Sequence, residues 1–151
     1  MTPQAPQQRG HPITDSIAGL LLCIAAPAAH AACLWGRPAL ADEFAQSTVV
    51  VAQVRTARNV QDDPDDPAGI SATLYRLAVR ERLRGTPPRG LELRSDNTSS
   101  RFPMERGPRY LLFVQTARDG THYVDACGHS GTLPQASEAL TQARQLARKR
   151  P

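Results

Sequence analysis

The 151-residue chain carries 18 basic and 14 acidic residues, a formal charge of +4 and a pI near 9.4, with only 5% aromatics. That length holds one domain with a modest core and excludes a large cleft between domains. The arginines are spread along the chain rather than clustered, and aromatics are scarce, so no nucleic-acid partner is expected despite the basic balance.

Residues 17–29 read IAGLLLCIAAPAA, the length of a signal-peptide hydrophobic region and too short to span a bilayer comfortably. Ala29-His30-Ala31 then sets small residues where a signal peptidase reads them. Residues 1–31 are therefore expected to be a signal peptide, with cleavage before Ala32 and a mature domain over residues 32–151. The segment ahead of the apolar run is long and holds Asp15 beside a single Arg9, so a downstream start or an uncleaved anchor are the alternatives. No other stretch is apolar enough to be a membrane span. Cys33 follows a small residue but has His30 at the third place before it, which disfavours lipidation. A secreted or periplasmic location is expected, with envelope anchoring through the leader or a lipidated Cys33 as the minority reading.

Of three cysteines, Cys23 lies in the leader, leaving Cys33 and Cys127 near the two ends of the folded region. In an oxidising compartment an even pair is expected to form a disulfide. The rival roles are a reactive thiol and a metal ligand, but no CxxC or HxxxH spacing supplies partners, so no metal or other cofactor is expected.

Residues 38–45 have the make-up of a short helix, and the β-branched run TVVVAQVRT at 48–56 predicts a buried strand. QDDPDDPAG at 61–69 holds two prolines, four aspartates and a glycine, and predicts an exposed loop. Residues 71–83 alternate: Tyr75, Leu77, Val79 and Leu83 are expected on one face, with Arg76, Ala78, Arg80 and Arg82 on the other. Gly85-Thr86-Pro87-Pro88 stops that strand, and residues 91–94 form a short one. Residues 95–108 read as polar and turn-rich. Residues 110–114, YLLFV, are apolar on both faces and predict a central strand. Asp119-Gly120 is a hairpin turn leading into residues 121–126. A helix is expected over about 132–149, with Thr132 and Gln135 as a capping box and Ala136, Ala139, Leu140, Ala143, Leu146 and Ala147 as its apolar stripe. The sum is mainly β. A five-stranded, OB-fold-like closed barrel with a C-terminal α-helix hides its sheet edges most economically, with an open sheet as the competing architecture.

The order of features resembles the netrin-like module family that includes the tissue inhibitors of metalloproteinases, here of bacterial type. The likeness is carried by Cys33 after a signal peptide, the Leu83-Arg84-Gly85 turn, the Gly-x-x-Tyr-Leu-Leu-Phe segment at 107–113, and Cys127-Gly128-x-Ser130 leading into a helix. It covers most of residues 33–148, and each motif is short. The resemblance implies an OB-type barrel with helices at its side, a Cys33–Cys127 bridge and non-enzymatic binding of a protein partner. Many members have a further cysteine before the Tyr-Leu-Leu-Phe segment. Thr98-Ser99-Ser100-Arg101 stands there instead, so the fuller disulfide pattern is absent. The inhibitors of that family chelate a protease's zinc through the α-amine and carbonyl of an N-terminal cysteine. An inhibitory terminus at Cys33, acting on an extracytoplasmic metalloprotease, is thus the alternative function. Cleavage before Ala32 disfavours it, because the cysteine nitrogen then becomes an amide.

Other residues bear chemistry with simpler readings. Asp62, Asp63, Asp65 and Asp66 lack calcium-loop spacing and read as a solvated loop. Arg76, Arg80, Arg82 and Arg84 are the basic residues of a half-exposed strand before they are a glycan or nucleic-acid stripe. Asn97-Thr98-Ser99 matches a glycosylation acceptor, a match that means little if the source is bacterial. His129 beside Cys127 suggests a catalytic pair. A bridged cysteine is no nucleophile, however, and no third residue is placed to orient the histidine, so no catalytic residue is expected. Ser130 lacks the flanks of a nucleophile elbow.

Overall fold

A computed structural model describes residues 33, 36–62, 65 and 68–149. The expected signal peptide, its cleavage site at Ala32, and Asp63 and Asp66 lie outside the described residues.

The elements run α1 (Leu40–Gln46), β1 (Thr48–Gln61), β2 (Ile70–Arg84), β3 (Glu92–Asp96), β4 (Arg109–Thr116), β5 (His122–Val124), β6 (Gly131–Thr132) and α2 (Ser137–Arg148). The protein is mainly β: six antiparallel strands form one sheet in the order β3-β2-β1-β4-β5, with β6 also paired to β4. The expected closed barrel does not form by hydrogen bonding. Among the described residues no ladder joins β3 to β5, so the sheet is open. Both outer strands are short, five and three residues, and β5 places all three against β4. The two edges lie near each other without pairing. The strand beyond the expected five is β6, whose two residues oppose Tyr110 and Leu111.

The central strands are buried on both faces, as their apolar runs require. Val50, Ala52 and Val54 of β1 join Tyr110, Leu112 and Val114 of β4 in one core with Tyr75, Leu77, Leu91 and Leu93. Val49, Val51, Leu111 and Phe113 face the other way, against Phe44 of α1 and Leu140 and Ala143 of α2. Both helices therefore cover one face of the sheet.

Leu83 leaves the face expected for it. Tyr75, Leu77 and Val79 belong with the first core, but Leu83 packs with the second. The cause is irregular pairing: β2 shifts register against β1 between Val49 and Val50 and again between Val51 and Ala52. Each extra residue in a β-bulge resets the alternation, which period-two counting cannot foresee.

The segment expected to be merely polar closes an end of the first core. Met104 is buried and Phe102 packs edge-on to Tyr110, their ring centroids 6.5 Å apart. Tyrosine hydroxyls secure it, Tyr75 accepting from the Met104 amide at 3.3 Å and Tyr110 from the Glu105 amide at 2.8 Å.

The C-terminal helix starts later than expected. Thr132 is drawn into β6 opposite Tyr110, a turn follows, and α2 begins at Ser137 with no side-chain cap on Ala136. Thr132 and Gln135 do meet, but side chain to side chain at 2.9 Å and not as a capping box. Pairing with β4 satisfies backbone groups that the predicted first turn would have left to a cap.

Candidate functional site

Leu40, Glu43, Phe44 and Ser47 recur at the spacing of one helical face. Leu40 and Phe44 suit a face turned to a core; Glu43 does not, yet it is only 5% exposed. A buried carboxylate needs hydrogen-bond donors. They come from the segment after β5. The His129 amide donates to Glu43 Oε2 at 3.0 Å and reaches Oε1 at 3.3 Å, while His129 Nδ1 lies 2.7 Å from Oε2. The imidazole also leans on Phe113, with ring centroids 6.1 Å apart.

The approach depends on the residues around His129. Asp125 opens the turn, its carboxylate accepting from the Cys127 amide at 2.8 Å and its carbonyl from the Gly128 amide at 3.1 Å. At Gly128 any side chain would collide with the Glu43 carboxylate, so the glycine of the Cys-Gly-x-Ser motif is a matter of space. Ser130 closes the turn by accepting from the Phe113 amide of β4 at 2.9 Å.

The expected disulfide joins Cys33 to Cys127 across 94 residues, with 5.7 Å between α-carbons. It ties the chain ahead of α1 to this same turn. A bridge closing such a loop stabilises by about 4–5 kcal/mol on the chain-entropy account. Three constraints therefore meet within a few residues: a covalent tie, a buried carboxylate cradled by a turn, and a hydroxyl anchoring that turn to the sheet.

Against the expectation that no third residue is placed to orient His129, Glu43 orients it from 86 residues away in sequence. The signal was present as a glutamate on the apolar stripe of α1, but only the fold brings it to the histidine. A carboxylate–imidazole pair is half of an acid–base arrangement. Its neighbours do not extend it into a triad: the Cys127 sulfur is in the bridge, and Ser130 binds the Phe113 backbone. What these groups do in the geometry at hand is hold two distant chain segments together.

The other singled-out residues scatter. Asp62 and Asp65 are exposed on the β1–β2 connection. Arg76, Arg80 and Arg82 are exposed, whereas Arg84 is half-buried and donates to the Ser47 carbonyl at the end of α1 at 2.6 Å. Arg84 thus serves a helix C-terminus, where a cation is favoured, and does not continue the basic row. Gly85 has φ +75° and would bring a side chain to 2.7 Å from Thr48 Oγ1, which explains the glycine of the Leu-Arg-Gly turn. Among the described residues no three His, Cys, Asp or Glu side chains gather to hold a metal ion. No described helix is long and apolar enough to cross a membrane. No protein-family profile matches the chain, and no curated protein matches it.

Proposed function

We propose that this chain is an exported, non-enzymatic protein-binding module of the netrin-like type. The observation that carries the reading is the Cys33–Cys127 bridge beside the buried Glu43–His129 contact. Together they rigidify one end of the sheet using groups that a catalyst would keep available. A disulfide of this span belongs in an oxidising compartment, in keeping with the leader-like segment at 17–29. The strand order β3-β2-β1-β4-β5, with the two outer strands adjacent but unpaired, fits a partly open barrel of the OB type that the resemblance implies.

One observation favours a second reading. Cys33 is half-buried and held by its bridge. A mature chain beginning at Cys33 would hold its α-amine at the tethered end, suited to chelating the zinc of a metalloprotease. A chain beginning at Ala32 has an amide there, a poor ligand.

Mature protein from its natural compartment tests both readings. Its terminal residue is read by mass spectrometry, its activity is measured against a panel of zinc proteases, and its partners are identified after cross-linking. The module reading expects Ala32 first, no inhibition, and one saturable protein partner. Inhibition by a chain starting at Cys33 establishes the second reading. A hydrolytic activity lost on His129→Ala with the fold intact overturns both.

A further inference from the structure

β3 covers only part of β2. It pairs with residues 72–76 through residues 92–96, and the last backbone link is the Leu77 amide donating to the Leu91 carbonyl at 2.9 Å. Over residues 78–82 the strand is laddered to β1 on one side and has no strand partner on the other among the described residues. The chain turns at Gly85 and returns past that edge, leaving an open cavity of about 750 Å³ between strand and loop.

The charge in this cavity is one-sided. Arg55, Arg76, Arg80, Arg82 and Arg89 line it against a single acid, Glu92, which lies 3.5 Å from Arg76. Two of these arginines sit at breaks in the register. β1 shifts between Val54 and Thr56, where Arg55 is the extra residue, and the shift between Val51 and Ala52 leaves Arg80 as the extra residue of β2. Bulges re-aim side chains. Arg80 reaches across to Gln53 Oε1 at 3.0 Å, while the Arg76 side chain stays 75% exposed.

We infer that the open edge of β2 receives an extended acidic segment of a partner protein, which adds to the sheet as a strand and sets its carboxylates among these arginines. The inference rests on the protein-binding reading above and names its surface and the chemistry of its partner. An edge gives affinity through main-chain hydrogen bonds, and flanking side chains give selectivity. Residues 78–82 offer a run of about 16 Å at a strand's rise per residue. Arginine suits carboxylates because its planar fork binds them in pairs. No aromatic side chain lines the cavity, so neither bases nor sugar rings find a stacking platform, and a polymer without amides leaves the edge unpaired. Charges on an edge also deter self-pairing. Deterrence alone is served by either sign; a row of arginines selects the opposite charge.

The test measures fluorescence anisotropy of the full chain with its disulfide formed. The probe is a short labelled peptide alternating glutamate and valine. It is run beside the same peptide N-methylated on alternate residues, a lysine–valine version, a sulfated oligosaccharide and oligo-dT. Saturable binding of the acidic peptide is expected, weakened at least about tenfold by N-methylation in one of the two alternate patterns and by R80E/R82E. Arg89→Glu, on the loop, should act in the same direction, with melting temperatures unchanged. Equal binding of both alternately N-methylated peptides, of the lysine–valine peptide, of the oligosaccharide or of oligo-dT overturns the addition of an acidic strand, as does failure of the acidic peptide to bind. If a cross-linked native partner is retained by R80E/R82E, this surface is refuted while the protein-binding reading stands.

Discussion

The two ends of the β1–β2 hairpin are built on different terms. At the helix-covered end, β1 places Val49, Val50, Val51 and Ala52, all at most 3% exposed, between two cores. A disulfide, a buried carboxylate and an arginine on a helix terminus tie the surroundings of that end together. At the far end, residues 55–59 of β1 are exposed and are held chiefly by the ladder to β2, with minor bonds such as Thr73 Oγ1 to Asn59 Oδ1 at 3.3 Å. The same hairpin is thus core at one end and solvated arm at the other. Rigidity is concentrated where distant parts of the chain must be joined, and exposure where no second layer covers the strands.

The largest effect that tests this contrast is on the covalent tie. Replacing Cys33 and Cys127 together with alanine should remove about 4–5 kcal/mol, read as a lower denaturation midpoint with a larger m-value, because the denatured chain without its crosslink is more expanded. A loss below about 1 kcal/mol would show that the turn is held without it. Next comes the buried carboxylate. Glu43→Ala strands the donors of His129 in a site with little solvent and should cost about 3 kcal/mol in urea unfolding. Gly128→Ala should cost a similar amount by displacing that carboxylate.

Gly85→Ala should cost about 1–2 kcal/mol, since it combines a left-handed backbone with contact on Thr48. The ion pair of Glu81 with Arg144 of α2, at 2.7 Å, comes lower. Hydrogen bonds from Arg144 hold the Glu81 carboxyl below its ordinary value against a smaller opposing effect of burial. A depressed carboxylate contributes fully above its unfolded value, near about pH 4–5, and the contribution fades as pH falls through the lower folded value. Both side chains are more than a third exposed, so Arg144→Ala should cost under about 1 kcal/mol at neutral pH and less in high salt. The smallest change belongs to the arm. Arg58→Ala should shift stability by no more than about 0.5 kcal/mol, and a larger loss would mean that the arm is packed after all.

How much was legible follows from which signals are local. Val49 to Val51 and Leu111 to Phe113 announce central strands through apolar runs alone, and the Asp119-Gly120 turn announces its hairpin, with Gly120 at φ +85°. Two cysteines outside the leader-like apolar segment, read with the absence of metal spacing, point to the bridge. The partner of His129 was not legible, because Glu43 and His129 are neighbours only after β1 and β4 have paired and α1 has been laid on their outer face. The misplacement of Leu83 has the same origin: bulges arise where two strands meet, and neither strand records them by itself. Thr132 with Gln135 three residues on has the pattern of a helix cap, yet Thr132 is a strand residue because β4 offers it a ladder.

The amino-acid sequence by itself determined the mainly β class, the placing of α1, the central strands and the cysteine pair, because hydrophobic periodicity and turn chemistry act over a few residues. The tertiary structure decided that the sheet stays open, that Glu43 sits beneath the Gly128 turn, and that five arginines gather along the open edge of β2. Those outcomes depend on register and on the relative position of segments far apart in the chain, and contacts of that kind acquire their energy only once the layers have assembled.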